Sequence, residues 1–463
     1  MTHGVELGPV ELPDYDLPAE QPSVPTTAYG ERLAKAAAAA DAAGLDALVV
    51  YADREHFANL SYLTGYDPRF EESLLIMVPG RAPVLLVGNE GEAYAKVVPD
   101  GVEVVLYQSF SLVNQDRSAS PRLDVVLRKA GLGGDVRHTG VAGWKFFGPG
   151  EADRPQEWSD APAFIVDTLR ALGCDVVNAT GLFTEPGRGL RLVSDADQIA
   201  CFEFAATHGS ESMRRLLHGV EPGMTELSAF SLYQTIGLPY SYHPVLLSGE
   251  RAALGLASAS GRVLRRGDPI VASLGYWGSN IARGGFLAAT ADDLPAAARD
   301  YVDRLVAPYF ACAAEWYETI GVGVTGGELF EVARRHLSDP FFGVHLNPGH
   351  FIHLDEWPSS PVYAGSGVVL RSGMTLQLDI IPATGTAYHT SNIEDGVALA
   401  DDALRTELAE RYPGLWQRVE TRRQFMAGAL GIRLRPEVLP LSNLAGYLPP
   451  LWLSPHLAMR RAG

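Results

Sequence analysis

Three ionisable residues stand in short apolar runs near the end of this 463-residue chain. His350 lies in HLNPGHFIHLDEWP, Asp379 in LRSGMTLQLDIIP and Glu394 in SNIEDGVAL. A lone carboxylate inside a strand-like run is costly to bury. Such a position is tolerated where the charge meets a metal ion, a partner charge or a substrate. Two carboxylates sharing a cleft raise one another's affinity for a proton, and a neighbouring imidazole can shuttle it. The catalytic candidates are therefore His350, Asp379 and Glu394. In an extended GHFIHLDE, side chains alternate, so His350 shares a face with Ile352 and Leu354. His353 then falls on the other face with Asp355, as a candidate for substrate contact rather than a joint ligand. Arg69, in GYDPRFEES, would suit a carboxylate-bearing substrate.

The elements that must hold these groups follow from the pattern. Hydrophobic residues make up 47% and charged residues 20% of the chain, the balance of a globular protein. The formal charge of −18 disfavours nucleic acid. No apolar run has the length of a membrane span. Cys174, Cys201 and Cys312 form neither a ligand spacing nor a disulfide framework, which fits a reducing, cytoplasmic setting.

Residues 1–26 read as a proline-punctuated arm that cannot hold a helix. Residues 27–185 alternate helix and strand patterns, an α/β domain. SLLIMVPG and APVLLVG, split by Gly80 and Arg81, read as a hairpin. Residues 186–463 form a second domain, opened by a long helix capped at Ser194 or Asp195. That domain carries a faint duplication. EPGMTELSAF from Glu221 matches GVGVTGGELFEVA from Gly321, and LRRGDPIVASL from Leu264 matches LRSGMTLQLDI from Leu370. Two similar halves in the same order suggest pseudo-twofold symmetry around a cleft. In that alignment Ser273 stands where the second half has Asp379. GVGVTGG is not a nucleotide loop, since no strand precedes it. The apolar, proline-rich C-terminal stretch is expected to pack on the domain or across a dimer interface. The fold class is α+β.

NLSYLTGY, SGERAALG…RVLRRGD, NPGHFIHLDE, SGMTLQLDIIP and NIEDGVAL occur in an order that resembles the creatinase, prolidase and aminopeptidase P superfamily. The resemblance implies an N-terminal creatinase-like domain, a C-terminal pita-bread catalytic domain and a homodimer. It also implies two divalent ions held by two aspartates, a histidine and two glutamates. Those positions fall on Ser273, near Asn280, and on His350, Asp379 and Glu394. The family's catalytic histidines fall on Leu256 and Trp357, and creatinase's strand glutamate on Ala282. Two ions need several anionic ligands, and this chain lacks two of them. The expectation is a hydrolase acting at a C–N bond of a small molecule or short peptide by acid–base chemistry, with no metal. Asn280 is a substrate contact in that reading. The alternative is a mononuclear Xaa-Pro-type metallopeptidase holding one Mn, Zn or Co ion on His350, Asp379 and Glu394. A non-catalytic ligand-binding or scaffold protein is the third possibility.

Overall fold

The computed structural model describes residues 4–462. The chain forms two compact units. One is Val24–Leu192; the other runs from Val193 onward and includes the segment up to Ser23. The boundary expected after residue 185 thus lies seven residues later, after Leu192. The reason is local: the Tyr62 hydroxyl donates to the Leu190 carbonyl at 3.2 Å, and Arg191 donates to Asn59 at 2.8 Å. These bonds tie the connecting turn to the first unit.

The proline-rich beginning is not a free-standing arm. Val5–Pro9 is a strand paired antiparallel with Leu457–Arg461 near the opposite end of the sequence. Proline rules out a helix there, but an edge strand tolerates it.

The first unit is built on a six-stranded mixed sheet. Its order is Glu103–Leu106, Val84–Val87, Ser73–Met77, Ala47–Ala52, His138–Ala142 and Asp175–Asn178. Ser73–Met77 and Val84–Val87 are antiparallel, as the glycine-split apolar runs predict. Alternate residues of the central strand supply two separate cores. Val49 and Tyr51 face one, Leu48 and Val50 the other. Helices cover both faces, which is why these strands read as continuous apolar runs.

The second unit holds an antiparallel sheet. Its path is His350–Phe351, Thr375–Asp379, Asn392–Leu399, Ser279–Phe286, Pro269–Tyr276 and Val245–Ser248, with Val438–Pro440 also paired to Asn392–Leu399. The duplication is visible in backbone detail. Thr225 caps the helix Glu226–Phe230 and Thr325 caps the helix Gly326–Leu337, each through its own side chain. Thr225 bridges to Val263, and Thr325 bridges to Val369. Gly267 and Gly373, which open the two matching strands, have φ of +85° and +86°. Only glycine adopts that conformation without strain.

Two helices back the sheet. Ala196–Gly219 is capped by Asp195, which accepts from the Gln198 amide. Its Gly209 lies against Ile281, where an added Cβ would come 3.4 Å from the isoleucine side chain. From Ala307–Thr319, the Tyr309 hydroxyl donates to the Ile393 carbonyl and accepts from the Ile393 amide. Ile281 and Ile393 therefore face the helices. Their neighbours Asn280, Ala282 and Glu394 face the other way, because strand side chains alternate.

Candidate active site

Register places the chemistry on that second face. Ser273 pairs with Ala282, Ala282 with Glu394, and Glu394 with Asp379. The four side chains form one row across four strands. Gln377, two residues before Asp379 and so on the same face, pairs with His350. Asn280 stands two residues before Ala282.

The strand beginning at His350 is only two residues long. The His350 Nδ1 lies 2.8 Å from the Phe351 carbonyl oxygen. A carbonyl can only accept, so Nδ1 carries a hydrogen, and Nε2 is the ring nitrogen turned toward the carboxylates. Nε2 lies 3.6 Å from Glu394 Oε1 and 3.8 Å from Asp379 Oδ2, beyond hydrogen-bond range. The imidazole is fully buried, and Trp357 stacks on it at 4.1 Å between ring centres. The Asn280 amide donates to Glu394 Oε1 at 2.7 Å and reaches Glu356 Oε1 at 3.4 Å. Gln377 donates to the Asn280 carbonyl at 3.1 Å.

Burial pushes the Asp379 carboxyl well above the usual range, and the Glu394 charge adds to it. Burial likewise raises Glu394 well above its ordinary value, with repulsion from Glu356 next in weight. Glu356 is also raised by burial, against the opposing pull of His350. Three carboxylates thus crowd one imidazole, with no guanidinium or ammonium paired to them among the described residues. The buried cation of the neighbourhood, Arg283, pairs with Asp395 on the helix face at 2.8 Å.

The donor set fits one cation. One atom each from His350, Asp379 and Glu394 lie within 4.8 Å of one another. Tetrahedral ligands ~2.1 Å from one ion stand roughly 3.4 Å apart, close to the 3.6 and 3.8 Å found here. His350 Nε2, Asp379 Oδ1 and Asn280 Oδ1 are buried without a hydrogen-bond partner among the described residues. Nδ1 bonded to a carbonyl is the orientation that readies Nε2 for a metal. A second ion is not fitted: the row beside Glu394 continues with the Ala282 methyl and the Ser273 hydroxyl.

The structure brings together His350, Asp379, Glu394 and Asn280. It does not add His353, whose buried ring packs edge-on against Phe202 at 5.2 Å. Arg69 belongs to the other unit, with its Nε 3.1 Å from Asp67 Oδ2. Leu256 is 82% exposed and offers no proton. The chain leaves the extended path after Phe351, and the turns that follow carry Glu356 back to Asn280. Gln377 was legible in principle, as the residue two before Asp379 on the same strand face.

A buried imidazole and a row of carboxylates thus share one face of a duplicated, antiparallel sheet. Residues 32–140 match the creatinase/prolidase N-terminal domain, and residues 200–407 match metallopeptidase family M24. The chain belongs to the creatinase, prolidase and aminopeptidase P superfamily. It is 24% identical over 231 residues to the uncharacterized peptidase YqhT of Bacillus subtilis (strain 168), covering 47% of this chain and 62% of that relative. The match therefore spans less than two thirds of the relative's length. The prolidase from Thermococcus sibiricus shares the fold with a TM-score of 0.64 at 18% identity, over 82% of this chain and 95% of that one. The prolidase from Pyrococcus horikoshii OT3 gives 0.62 at 17%, over 80% and 95%. The Xaa-Pro dipeptidase from Bacillus anthracis gives 0.61 at 17%, over 81% and 96%.

Proposed function

We propose that this protein is a hydrolase of the peptidase superfamily that cleaves a C–N bond in a short peptide or small amide, using a one-cation centre on His350, Asp379 and Glu394. What carries the proposal is the His350 ring. Its Nδ1 is committed to a carbonyl while Nε2 points toward two carboxylates that lie beyond hydrogen-bond range. An imidazole nitrogen and two carboxylates converging in a buried site repel unless positive charge, an ion or protons, lies among them, and separations too long for hydrogen bonds suit an ion. That geometry favours the mononuclear alternative over the metal-free expectation.

A divalent ion held there would polarise the amide carbonyl and acidify water. The remaining work falls to the chain. Asn280 fixes the Glu394 carboxylate through its amide. Trp357 covers the imidazole and keeps water from its face. Glu356, outside the trio and beside Asn280, is placed to take the proton of the attacking water and return it to the leaving nitrogen as the C–N bond breaks. A homodimer, with Arg69 of a second copy meeting a substrate carboxylate, belongs to the same proposal. Family membership supports it. None of the three cysteines forms a disulfide among the described residues, which accords with a cytoplasmic setting.

The test is thermal unfolding of chelator-treated protein with and without Mn(II), Zn(II) or Co(II). Wild type should be stabilised by at least one of the three ions, and Glu394→Gln should lose most of that gain. Equal ion-induced stabilisation of wild type and Glu394→Gln would remove the trio from the proposal, as would no stabilisation of wild type by any of them.

A further inference from the structure

One end of the row is lined by hydroxyl groups rather than carboxylates. Ser241 and Tyr242 lie against the strand at Gly275, which shares a face with Ser273. The Ser241 amide donates to the Gly275 carbonyl at 3.0 Å. A Cβ at Gly275 would lie 2.2 Å from Ser241 Oγ and 2.5 Å from the Tyr242 ring, so only glycine lets these side chains settle there. The Tyr242 ring is half-buried, but its hydroxyl oxygen is sealed from solvent. That oxygen neighbours the Ser273 hydroxyl and lies in the field of Glu394 and Glu356. Ser241 Oγ has no hydrogen-bond partner among the described residues, and Tyr242 Oη has none there besides the neighbouring Ser273 hydroxyl.

A buried hydroxyl left without a full set of partners is destabilising. The unpaired atoms sort by polarity along the row. Acceptors, Asp379 Oδ1 and Asn280 Oδ1, lie at the trio's end. Hydroxyl donors lie at the Ser273 end. A substrate that satisfies both presents an acceptor to Tyr242 and its electropositive side to the carboxylates. The acceptor of an amide is its carbonyl oxygen.

We infer that the Tyr242 hydroxyl, assisted by Ser273, donates a hydrogen bond to the carbonyl oxygen of the scissile amide, standing in for the second ion that Ser273 and Ala282 cannot hold. The inference rests on the one-cation reading above. It also assigns a donor to a cleft in which Leu256 offers none. Tyr242 keeps its proton throughout. Its hydrogen bond strengthens as the carbonyl carbon becomes tetrahedral and the oxygen gains charge.

The experiment is calorimetric binding of a phosphinic Ala-Pro isostere, whose PO2 group mimics the tetrahedral oxyanion. It uses full-length protein, loaded with Mn(II) or treated with chelator. Mn(II)-loaded wild type should bind the isostere. Tyr242→Phe should bind it roughly tenfold to a hundredfold more weakly, with unchanged Mn(II) affinity and an unfolding temperature no lower than that of wild type. Ser273→Ala should weaken it less. Equal affinities for wild type and Tyr242→Phe would overturn the inference, and so would loss of Mn(II) from Tyr242→Phe, which would make Tyr242 a support for the ion. A wild type that takes up one Mn(II) but no isostere overturns the subsite and leaves the one-cation reading standing. A wild type that takes up no Mn(II) overturns the one-cation reading, and the chelated proteins then decide the subsite: weaker binding by Tyr242→Phe upholds it, while equal or absent binding removes it.

Discussion

Replacing Asp379 by Asn should stabilise the protein stripped of ions and abolish its response to them. The trio's ligand atoms lie within 4.8 Å of one another. Two unit charges at that distance repel by about 3 kcal/mol at an effective dielectric constant of 20. Partial protonation of the pair lowers this, so a gain of about 1–3 kcal/mol is expected when one charge is deleted. The new amide also offers His350 Nε2 an N–H donor at every pH. The sign with pH follows from Asp379 and Glu394 being held above their ordinary values of 3.8 and 4.5. The folded protein then binds more protons than the unfolded chain. Their contribution is fully present below the unfolded values and is lost as pH rises through the folded ones. Chelated wild type should therefore weaken from acidic to alkaline pH, and Asp379→Asn should weaken less. Urea denaturation at pH 5 and pH 8, followed by tryptophan fluorescence, measures this. Trp277, Trp316, Trp357, Trp416 and Trp452 share the trio's unit, so the signal reports mainly on it. If chelated Asp379→Asn proves less stable than wild type at pH 8, the carboxylates are not in uncompensated repulsion and the cation-seeking site is refuted.

In the other unit, His56 lies 2.8 Å from Asp53 and 3.5 Å from Asp160. Although burial opposes the charged ring, these partners push it up to about 9. The charged ring's contribution, at most about 3 kcal/mol, should be present below pH 6.5 and disappear as pH rises through 9. His56→Gln should flatten that decline, and an unchanged pH profile would count against the pairing. Installing Asp at both Ser273 and Ala282 extends the carboxylate row beside Glu394. The double variant should take up a second Mn(II) per chain, whereas an unchanged stoichiometry would show that more than these two ligands is missing.

Much of the fold could be read from local chemistry. Thr225 and Thr325 announce their helices as caps, and Gly267 and Gly373 mark the two matching strands because φ near +85° selects glycine. The hairpin at Gly80 is equally local. Pro413 opens the second of two consecutive helices, Pro413–Phe425, as a residue without an N–H can. Val5–Pro9 escaped because its partner, Leu457–Arg461, lies at the far end of the sequence, and a five-residue edge strand has no periodicity to show. In the site, His350, Asp379 and Glu394 stood out as charges in apolar strands. Glu356 did not, because its place depends on turns after Phe351 that break the strand period. Tyr242 carried no such signal, because its place depends on Gly275, a residue on another element that leaves room for its ring.

Counting bound ions addresses the central claim most directly. Purified full-length protein, saturated with Mn(II) and freed of excess, should contain one ion per chain, and His350→Ala should contain none. Two ions per chain in the wild type, or none after saturation, would contradict the account.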